Sequence, residues 1–381
     1  MRKLALLLGV LLLFAGIPSQ IYAEELAPGV KSAILIEPST DTVLYEQNAD
    51  ERLHIASVTK IMTMLIILEK VDSGEMSLDD IVTASKNAES YGGSTMYLAE
   101  GEQFTVNDML KGIAVASAND GCVAMSEHIA GNEEAFVEMM NKRAEELGMT
   151  NTLFANCNGL DDDIDLSQAY STARDVAIMS KELMKHPKIY DYTSIWIDYL
   201  RDGKFMLANT NKLIHNYKGA TGLKTGSTTK AGCCLSATAN RDGMDLLAVV
   251  LGAETTEIRF SSSQSLLDYG FLNYKVEKVI AKGDPMGQIK VSWGEEKEIP
   301  TEAAEDYNVL EKKAEPIEIE KSVNLKKKVH APVKRGDKLG EITVTENGEE
   351  TKVIDIIASQ DVAKKGFFRI LADVLSGIFN G

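Results

Sequence analysis

The chain has 381 residues, which is enough for one large domain and a smaller one. It carries 40 Lys and Arg residues against 57 Asp and Glu residues, a net charge of −17. This balance argues against a general nucleic-acid-binding protein, because binding to phosphates requires a basic surface. Four cysteines are too few for a disulfide framework, and we expect them to pack as small buried residues. The sequence leaves open whether one of them forms a disulfide.

Residues 1–23 have the pattern of a secretory signal peptide. Two basic residues precede the apolar segment Leu4–Ile17, and Ala23 stands in a small-residue cleavage position. The alternative is an uncleaved anchor helix, for which the apolar segment is short. We therefore expect the mature chain to begin near Glu24, outside the cytoplasm.

The region from about Val30 to Asn273 mixes strand-like and helix-like segments. A turn-rich linker at Pro38–Asp41 predicts a first hairpin, and the run Gly232–Ala253 predicts a second hairpin. Between them the apolar patterns predict helices at Thr59–Lys70, Val106–Gly121, Asn132–Leu147 and, from a capping box of Thr172 and Asp175, up to Met184. Strands at both ends with helices between them indicate an α+β fold in which helices cover a sheet.

After about Tyr274 the helix signals give way to short strand-like runs and acidic loops. Two similar stretches, KGDPMG from Lys282 and RGDKLG from Arg335, each place a Gly-Asp turn between such runs. A further hairpin is expected at Glu346–Gly348. These features predict a small β-rich second domain, roughly residues 278–360, without evident chemistry of its own.

The last segment, residues 361–381, has the pattern of an amphipathic helix. Five apolar residues share one face and three basic residues lie near its start: Phe367, Leu371, Val374, Leu375 and Ile378, with Lys364, Lys365 and Arg369. It is too short to cross a membrane, and the two adjacent phenylalanines favour a helix that lies in the membrane interface. The alternative is a terminal helix packed on its own domain.

A possible catalytic pair opens the first helical pattern, where Ser57 and Lys60 are one turn apart. A Ser-x-x-Lys match is weak alone, since one or two are expected by chance in a chain of this length, and Ser227 with Lys230 makes a second. Ser57 at a helix amino terminus gains from the helix dipole. Burial and a neighbouring cation, such as Lys224, are expected to lower the pKa of Lys60 so that it can accept the serine proton.

Two further short motifs follow in a fixed order. Ser117-Ala118-Asn119 closes a helical pattern, and Lys224-Thr225-Gly226 enters a strand-like run. Ser-x-x-Lys, Ser-x-Asn and Lys-Thr-Gly in this order are the motifs of penicillin-binding proteins and serine β-lactamases. The chain resembles a low-molecular-weight penicillin-binding protein of the penicillin-binding protein 5-like family, a serine-type D-alanyl-D-alanine carboxypeptidase, over nearly its whole length. The resemblance implies a transpeptidase-like catalytic domain at residues 24–277, with an antiparallel sheet covered by helices.

The resemblance also implies roles for the motif residues. Ser57 is the acyl-ester nucleophile and Lys60 its proton acceptor, Ser117 relays a proton to the leaving amine, and Asn119 holds Lys60 and a substrate amide. For substrate binding, Lys224 and Thr225 take the terminal carboxylate, Gly226 gives the substrate backbone room, and the backbone N–H groups of Ser57 and Ser227 form the oxyanion hole. Arg259 is either a further carboxylate contact or part of a surface ion pair.

The activity implied is removal of the terminal D-alanine from peptidoglycan stem peptides that end in D-Ala-D-Ala. Ser57 attacks the last peptide carbonyl, D-alanine leaves, and water hydrolyses the acyl-enzyme, with no metal or cofactor. β-Lactams acylate the same serine and leave slowly. The protein would act in cell-wall biosynthesis at the outer face of the cytoplasmic membrane.

Three alternatives stay open. A serine β-lactamase has the same motifs, but class A enzymes use a loop glutamate, and no Glu occurs between Glu146 and Glu182. A metallo-carboxypeptidase would use the acidic run Asp161–Asp165, which does not fit the calcium-loop pattern, and no clustered histidine pair offers zinc ligands. A sensor module that is acylated without turnover has the same residues.

One position departs from the family pattern. A histidine is expected just before Gly159, and the chain has Asn158 there. Because this loop borders the site in the family, substrate preference or the rate of deacylation is expected to differ. The assignment of the catalytic residues does not depend on this position.

Overall fold

The computed structural model describes residues 25–162 and 164–369. The predicted signal peptide and residues 370–381 of the predicted C-terminal helix lie outside the described residues. The helices are α1 (Lys60–Asp72), α2 (Lys86–Glu89), α3 (Val106–Ala116), α4 (Asn119–Ala130), α5 (Glu133–Glu146), α6 (Ala173–Met184), α7 (Tyr190–Thr193), α8 (Leu213–Asn216) and α9 (Thr256–Asn273), with 3₁₀ turns at Ala56–Thr59 and Pro187–Ile189. The strands are β1 (Ser32–Glu37), β2 (Thr42–Gln47), β3 (Ile81–Thr83), β4 (Gln103–Thr105), β5 (Ile197–Leu200), β6 (Phe205–Ala208), β7 (Ala220–Thr228), β8 (Gly232–Arg241), β9 (Met244–Ala253), β10 (Tyr274–Ile280), β11 (Pro285–Ser292), β12 (Glu298–Ala303), β13 (Tyr307–Lys312), β14 (Ile319–Leu325), β15 (Lys328–His330), β16 (Lys338–Glu346) and β17 (Glu349–Ala358).

A five-stranded antiparallel sheet in the order β2-β1-β9-β8-β7 forms the centre of the first domain. Its central strands are buried on both faces because helices cover both sides. Along β1, Ile34 and Ile36 face the larger helical core, whereas Ala33 and Leu35 face the core that contains α9. Both predicted hairpins are present, and the predicted α+β fold with a covered antiparallel sheet is confirmed.

Helix α1 runs through the middle of the larger core. All nine residues from Lys60 to Leu68 are buried, as expected for a helix that is apolar on every side. The helix therefore has no solvent-exposed face near its amino terminus. A lysine at this position is enclosed by protein.

The prediction of one helix over Val106–Gly121 is wrong. Helix α3 ends at Ala116, Ser117 adopts a left-handed conformation with φ of 62°, and α4 begins at Asn119. The apolar pattern continues across the break, so periodicity alone does not reveal it. Contacts with a distant loop hold the break open, since the carboxylate of Asp120 accepts hydrogen bonds from the backbone N–H groups of Met96 and Leu98.

The two other predicted helix starts are present with their caps. The side chain of Asn132 accepts a hydrogen bond from Ala135 N at 2.7 Å and caps α5. Thr172 accepts from Asp175 N at 3.0 Å and caps α6. The capping box is one-sided, however, because the Asp175 carboxylate accepts from Asn151 N and from the Thr152 hydroxyl.

The second domain consists of strands β10 to β17, which confirms its β-rich character. A two-stranded sheet pairs β10 with β13, and a six-stranded sheet has the order β14-β16-β17-β12-β11-β15. The first of these strands begins at Tyr274, directly after α9 ends. The exact domain limits, 24–277 and 278–360, stay predictions.

The two Gly-Asp stretches form equivalent turns. Asp284 accepts a hydrogen bond from Ala281 N, and Asp337 accepts one from Lys334 N, both at 2.8 Å. Each turn also pairs its Gly and Asp backbone with a β-strand alanine in the same way. The similarity seen in sequence is therefore an internal structural repeat.

Two further observations concern the described part of the chain. All four cysteines are free thiols. Across residues 25–162 and 164–369, none of the helices combines the length and apolar character that crossing a membrane requires.

Candidate active site

Ser57 lies in the 3₁₀ turn that leads into α1. Ala56, just before it, has φ of 49°, a left-handed conformation that is uncommon for a residue with a side chain. Ser57 is half-buried, and its Oγ lies 2.8 Å from the Nζ of Lys60, the first residue of α1. The predicted pair is therefore in direct hydrogen-bond contact.

Three groups surround the Lys60 nitrogen. Besides the Ser57 hydroxyl, the side-chain carbonyl of Asn119 and the backbone carbonyl of Asn158 each lie 2.7 Å away. The two carbonyl oxygens can only accept hydrogen bonds. A neutral amine, with two N–H groups and one lone pair, can donate to both carbonyls and accept the hydroxyl proton of Ser57. The ammonium ion can donate to all three groups, so proton transfer requires no movement of these atoms.

Burial controls the charge of both site lysines. Lys60 and Lys224 are at most 1% exposed, and loss of hydration lowers the pKa of each. The pKa of Lys224 falls well below its ordinary value because the positive charge of Lys60 adds to the effect of burial. Burial is the main cause of the lowered pKa of Lys60, and Lys224, the neighbouring cation expected to contribute, is not among its causes.

Asn119 is fixed from two sides at the start of α4. Its Nδ2 donates to the carbonyl of Gly92 at 2.7 Å, and its backbone N–H donates to the carbonyl of Ser94 at 2.7 Å. This arrangement leaves its Oδ1 directed at Lys60. The break between α3 and α4 therefore positions the contact between Asn119 and Lys60.

Ser117 occupies the same break and is 4% exposed. Among the described residues, no hydrogen bond joins its hydroxyl to Lys60 or to Lys224. The structure thus brings Ser57, Lys60 and Asn119 into one hydrogen-bonded group and leaves the Ser117 hydroxyl outside it. A role for Ser117 as a proton relay stays a prediction.

Strand β7 carries the Lys-Thr-Gly motif along the edge of the central sheet. The Nζ of Lys224 donates to the carbonyl of Thr225 at 2.9 Å. The hydroxyl of Thr225 donates to the hydroxyl of Thr210 at 2.6 Å. Thr210 follows β6 and belongs to none of the motifs, so its position at the site is not predictable from the sequence.

Gly226 has a role that the sequence did not suggest. Room for the substrate backbone at this glycine stays a prediction, and the structure shows a second reason for its small size. A Cβ atom at this position would lie 2.7 Å from Ile55 O, 2.9 Å from Ser57 N and 3.0 Å from Val58 N. The glycine therefore allows β7 to lie directly against the turn that carries Ser57.

The end of β7 reaches the surface at Ser227, whose Oγ lies 3.7 Å from the Sγ of Cys233. Arg259, on α9, is 6% exposed and donates from Nη1 to the carbonyl of Gly226 at 3.3 Å. Its Nε has no partner, and within the described residues no carboxylate lies close enough to form the surface ion pair that was the alternative.

The loop before Gly159 contributes backbone groups to the site. The carbonyl of Asn158 accepts from Lys60, and the carbonyl of Cys157 accepts from the Thr63 hydroxyl at 2.6 Å. Gly159 has φ of 84°, and a Cβ there would lie only 2.0 Å from Ala56 O. The contact with Lys60 uses the backbone, so the asparagine found where the family pattern has histidine does not remove it.

The second Ser-x-x-Lys match has a different role. The Nζ of Lys230 donates to the backbone carbonyls of Asp161 and Ile164, each at 2.8 Å, so it holds the acidic loop. The side chain of Asp161 accepts from the Thr228 hydroxyl. Over the described ranges, His, Cys, Asp and Glu side chains do not gather in a group of three or more that could hold a metal ion.

An antiparallel sheet covered by helices, with a serine hydroxyl held by a buried lysine beside an edge strand, defines a serine acyl-transfer enzyme of the penicillin-binding type. The D-alanyl-D-alanine carboxypeptidase family model matches residues 20–255, and the C-terminal domain model of penicillin-binding protein 5 matches residues 274–364. The chain belongs to the D-alanyl-D-alanine carboxypeptidase family. The predicted family and enzyme class are confirmed.

Individual relatives agree with this assignment. The D-alanyl-D-alanine carboxypeptidase DacF of Bacillus subtilis strain 168 is 42% identical over 377 residues, covering 96% of this chain and 95% of the relative. Penicillin-binding protein 5 from Haemophilus influenzae superimposes with a TM-score of 0.70 at 30% identity, covering 88% of this chain and 98% of that chain. Penicillin-binding protein D2 from Listeria monocytogenes, solved in its ampicillin-bound form, has a TM-score of 0.58 at 33% identity, covering 64% of this chain and 98% of that chain.

Proposed function

We propose that Ser57 is the nucleophile with which this carboxypeptidase removes the terminal D-alanine from peptidoglycan stem peptides. The observation that carries the proposal is the arrangement around the Lys60 nitrogen, where two fixed carbonyl acceptors, from Asn119 and Asn158, leave the third direction to the Ser57 hydroxyl. A neutral amine in this position removes the serine proton as Ser57 attacks the carbonyl between the last two D-alanines.

Stabilisation of the developing oxyanion is assigned to two backbone N–H groups, those of Ser57 and Ser227. The close approach of Gly226 to Ser57 N supports this assignment, because it holds β7 and the nucleophile turn side by side. Donors fixed in this way before the reaction need no reorganisation as charge develops on the oxygen.

We assign binding of the carboxylate of the leaving D-alanine to the side chains of Lys224, Thr225 and Arg259. Lys224 is buried and its pKa is low in the absence of an anion, so an incoming carboxylate favours its protonated form. Arg259 is also buried, with an unpartnered Nε. Together these groups select a substrate that ends in a free carboxylate.

Departure of D-alanine requires a proton on its nitrogen. We assign its delivery to Ser117, because this residue lies in the same break between helices as Asn119. Water then hydrolyses the acyl-enzyme on Ser57. Each of these steps uses side-chain and backbone groups of this chain without a cofactor.

The same serine is assigned as the site that β-lactams acylate. A relative, penicillin-binding protein D2 from Listeria monocytogenes, is known in an ampicillin-bound form. We also propose the domain limits 24–277 and 278–360 and a signal peptide at residues 1–23. In this proposal, residues 361–381 form an amphipathic membrane anchor. They place the enzyme at the outer face of the cytoplasmic membrane.

Mass spectrometry after reaction with benzylpenicillin tests the assignment of the nucleophile. We expect one adduct, mapped to the peptide that contains Ser57. Release of free D-alanine from a D-Ala-D-Ala peptide then distinguishes the carboxypeptidase from a sensor module, and rapid release of hydrolysed penicillin would instead indicate a β-lactamase. An adduct on the peptide that contains Ser227 would overturn the proposal.

A further inference from the structure

One end of the second domain gathers exposed aromatic and basic side chains at the point where the C-terminal segment leaves it. Trp293 lies in the turn between β11 and β12 and is 48% exposed, while Phe367 and Phe368 are 73% and 84% exposed. We call this end the C-terminal corner and define it by Trp293, His330, Lys334, Arg335, Lys364, Phe367 and Phe368.

The start of the C-terminal segment is fastened to this corner. Bridges pair Val362 with Val333 and Lys364 with Gly294, and the backbone N–H of Lys365 donates to the carbonyl of Trp293 at 2.7 Å. Val362 is 2% exposed and belongs to the apolar core of this domain. The described residues 366–369 therefore follow directly from a segment held next to Trp293.

Trp293 has an unusual conformation for an exposed aromatic residue. Its φ is 61°, in the left-handed region that glycine and asparagine adopt more readily. Its ring packs on His330 with 4.7 Å between centroids, and the Nζ of Lys364 lies 5.6 Å from the ring centroid. A left-handed turn thus holds an indole ring at the surface, beside His330 and Lys364.

The segment that contributes Lys334 and Arg335 to the corner is basic, although the whole protein is acidic. Residues 321–338 contain seven Lys or Arg residues and one acidic residue, within a chain of net charge −17. Acidic side chains also border the corner, where Glu296 accepts from Gln360 and Asp361 accepts from Arg335 N, both uncharged donors. Lys334 and Arg335 are exposed. These two exposed basic side chains can contact an anionic surface, in a protein whose net charge of −17 otherwise disfavours such contact.

We propose that the C-terminal corner binds the surface of an anionic lipid bilayer, with the Trp293 ring in the interfacial region. Exposed Trp and Phe side chains gain free energy at that interface, and nearby Lys and Arg side chains contact the lipid phosphates. A soluble polyphosphate would use the basic residues alone. The proposal extends the membrane location proposed above, but it assigns a contact to the folded domain as well as to the C-terminal helix.

The chain contains two tryptophans, which allows a direct measurement. Trp196 lies in the catalytic domain and stacks on His215. In the full-length variant Trp196→Phe, Trp293 is the only indole, and we expect vesicles of phosphatidylglycerol and brominated phosphatidylcholine to quench its fluorescence. In the matched variant Trp293→Phe, the fluorescence of Trp196 should not change.

Co-sedimentation with the same vesicles separates this proposal from anchoring by the C-terminal helix. If the protein sediments with the vesicles while Trp293 is not quenched, the helix alone makes the contact and the proposal is wrong. If neither occurs, the membrane location proposed above fails as well. Both outcomes are independent of carboxypeptidase activity on a soluble peptide.

A charge-reversal pair tests the basic part of the corner. The double variant Lys334→Glu, Arg335→Glu should bind vesicles containing phosphatidylglycerol at least about tenfold more weakly, because each basic residue near an anionic surface contributes favourably. The control Lys204→Glu, Lys218→Glu reverses two exposed charges of the catalytic domain. Equal weakening in both variants would show a nonspecific charge effect and would overturn the proposal.

Discussion

The side-chain nitrogen of Lys60 lies 2.7 Å from the backbone carbonyl oxygen of Asn158, across a separation of 98 residues in sequence. This contact, with the one to Asn119, orients the lysine before any substrate arrives. A buried amine without acceptors would be costly to hold in place. The two carbonyls accept hydrogen bonds from the lysine nitrogen, and its remaining hydrogen-bonding position faces the Ser57 hydroxyl.

The first prediction concerns the identity of the nucleophile. Ser57→Ala should abolish covalent labelling by penicillin, because the hydroxyl in contact with Lys60 is removed. Ser227→Ala is the matched control from the second Ser-x-x-Lys match and should still be labelled. The Nζ of Lys230 donates hydrogen bonds to two backbone carbonyls rather than to the Ser227 hydroxyl. Labelling is measured with a fluorescent penicillin. The reverse pattern would refute the assignment of Ser57.

The second prediction concerns Lys60 as the proton acceptor. Lys60→Ala should lower the acylation rate constant by roughly 10⁴-fold, as the loss of one member of a catalytic unit does in other serine enzymes. Lys60→Arg should not restore activity, because arginine stays protonated at accessible pH. Stopped-flow acylation with a chromogenic β-lactam measures both variants. Substantial activity in the arginine variant would exclude proton acceptance by this residue.

The local motifs explain why part of the site could be predicted. Ser57 and Lys60 share one helical turn, and Lys224 to Gly226 share one strand, so their spacing in sequence records their geometry. The hairpins and capped helices are equally local features. Each is encoded by a few neighbouring residues.

The other parts of the site depend on contacts between residues far apart in sequence, which the residue types alone do not predict. The acceptor from Asn158 is a backbone carbonyl, which every residue has, and the hydroxyl of Thr210 meets Thr225 only because the chain returns to the site. The break at Ser117 is held by a loop about twenty residues away, through Asp120. Such contacts follow from the three-dimensional fold alone.

The third prediction concerns pH. Burial lowers the pKa of Lys60 below the ordinary lysine value of 10.5, and only the neutral amine accepts a proton. The acylation rate should therefore fall as the pH drops through this lowered pKa and should reach its plateau below pH 10.5. The rate with benzylpenicillin, measured from about pH 5 to about pH 11, checks this. A rate that still rises through the ordinary lysine value would contradict a lowered pKa.

The fourth prediction concerns residues 366–381. Their deletion leaves the bridges of Val362 and Lys364 intact and should weaken binding to membranes, because the predicted amphipathic helix is lost. Activity on a soluble peptide should stay unchanged, since no described contact joins Gly366 to the catalytic domain. Any remaining binding should decrease with salt, as expected for the basic residues of the C-terminal corner. Unchanged membrane binding would show that this segment is not the anchor.

The fifth prediction tests the contact between β7 and the nucleophile turn. In Gly226→Ala, the new Cβ would meet Ile55 O and Ser57 N at 2.7 and 2.9 Å, and both are backbone atoms that cannot move away as a flexible side chain would. The strand and the turn should separate, which displaces the Ser57 N–H from the oxyanion. Loss of one such donor typically costs about 10²–10³-fold in rate. Gly366→Ala, where nothing lies within 4 Å, is the control substitution. A normal acylation rate in a folded Gly226→Ala protein would show that this close approach does not position the oxyanion donors.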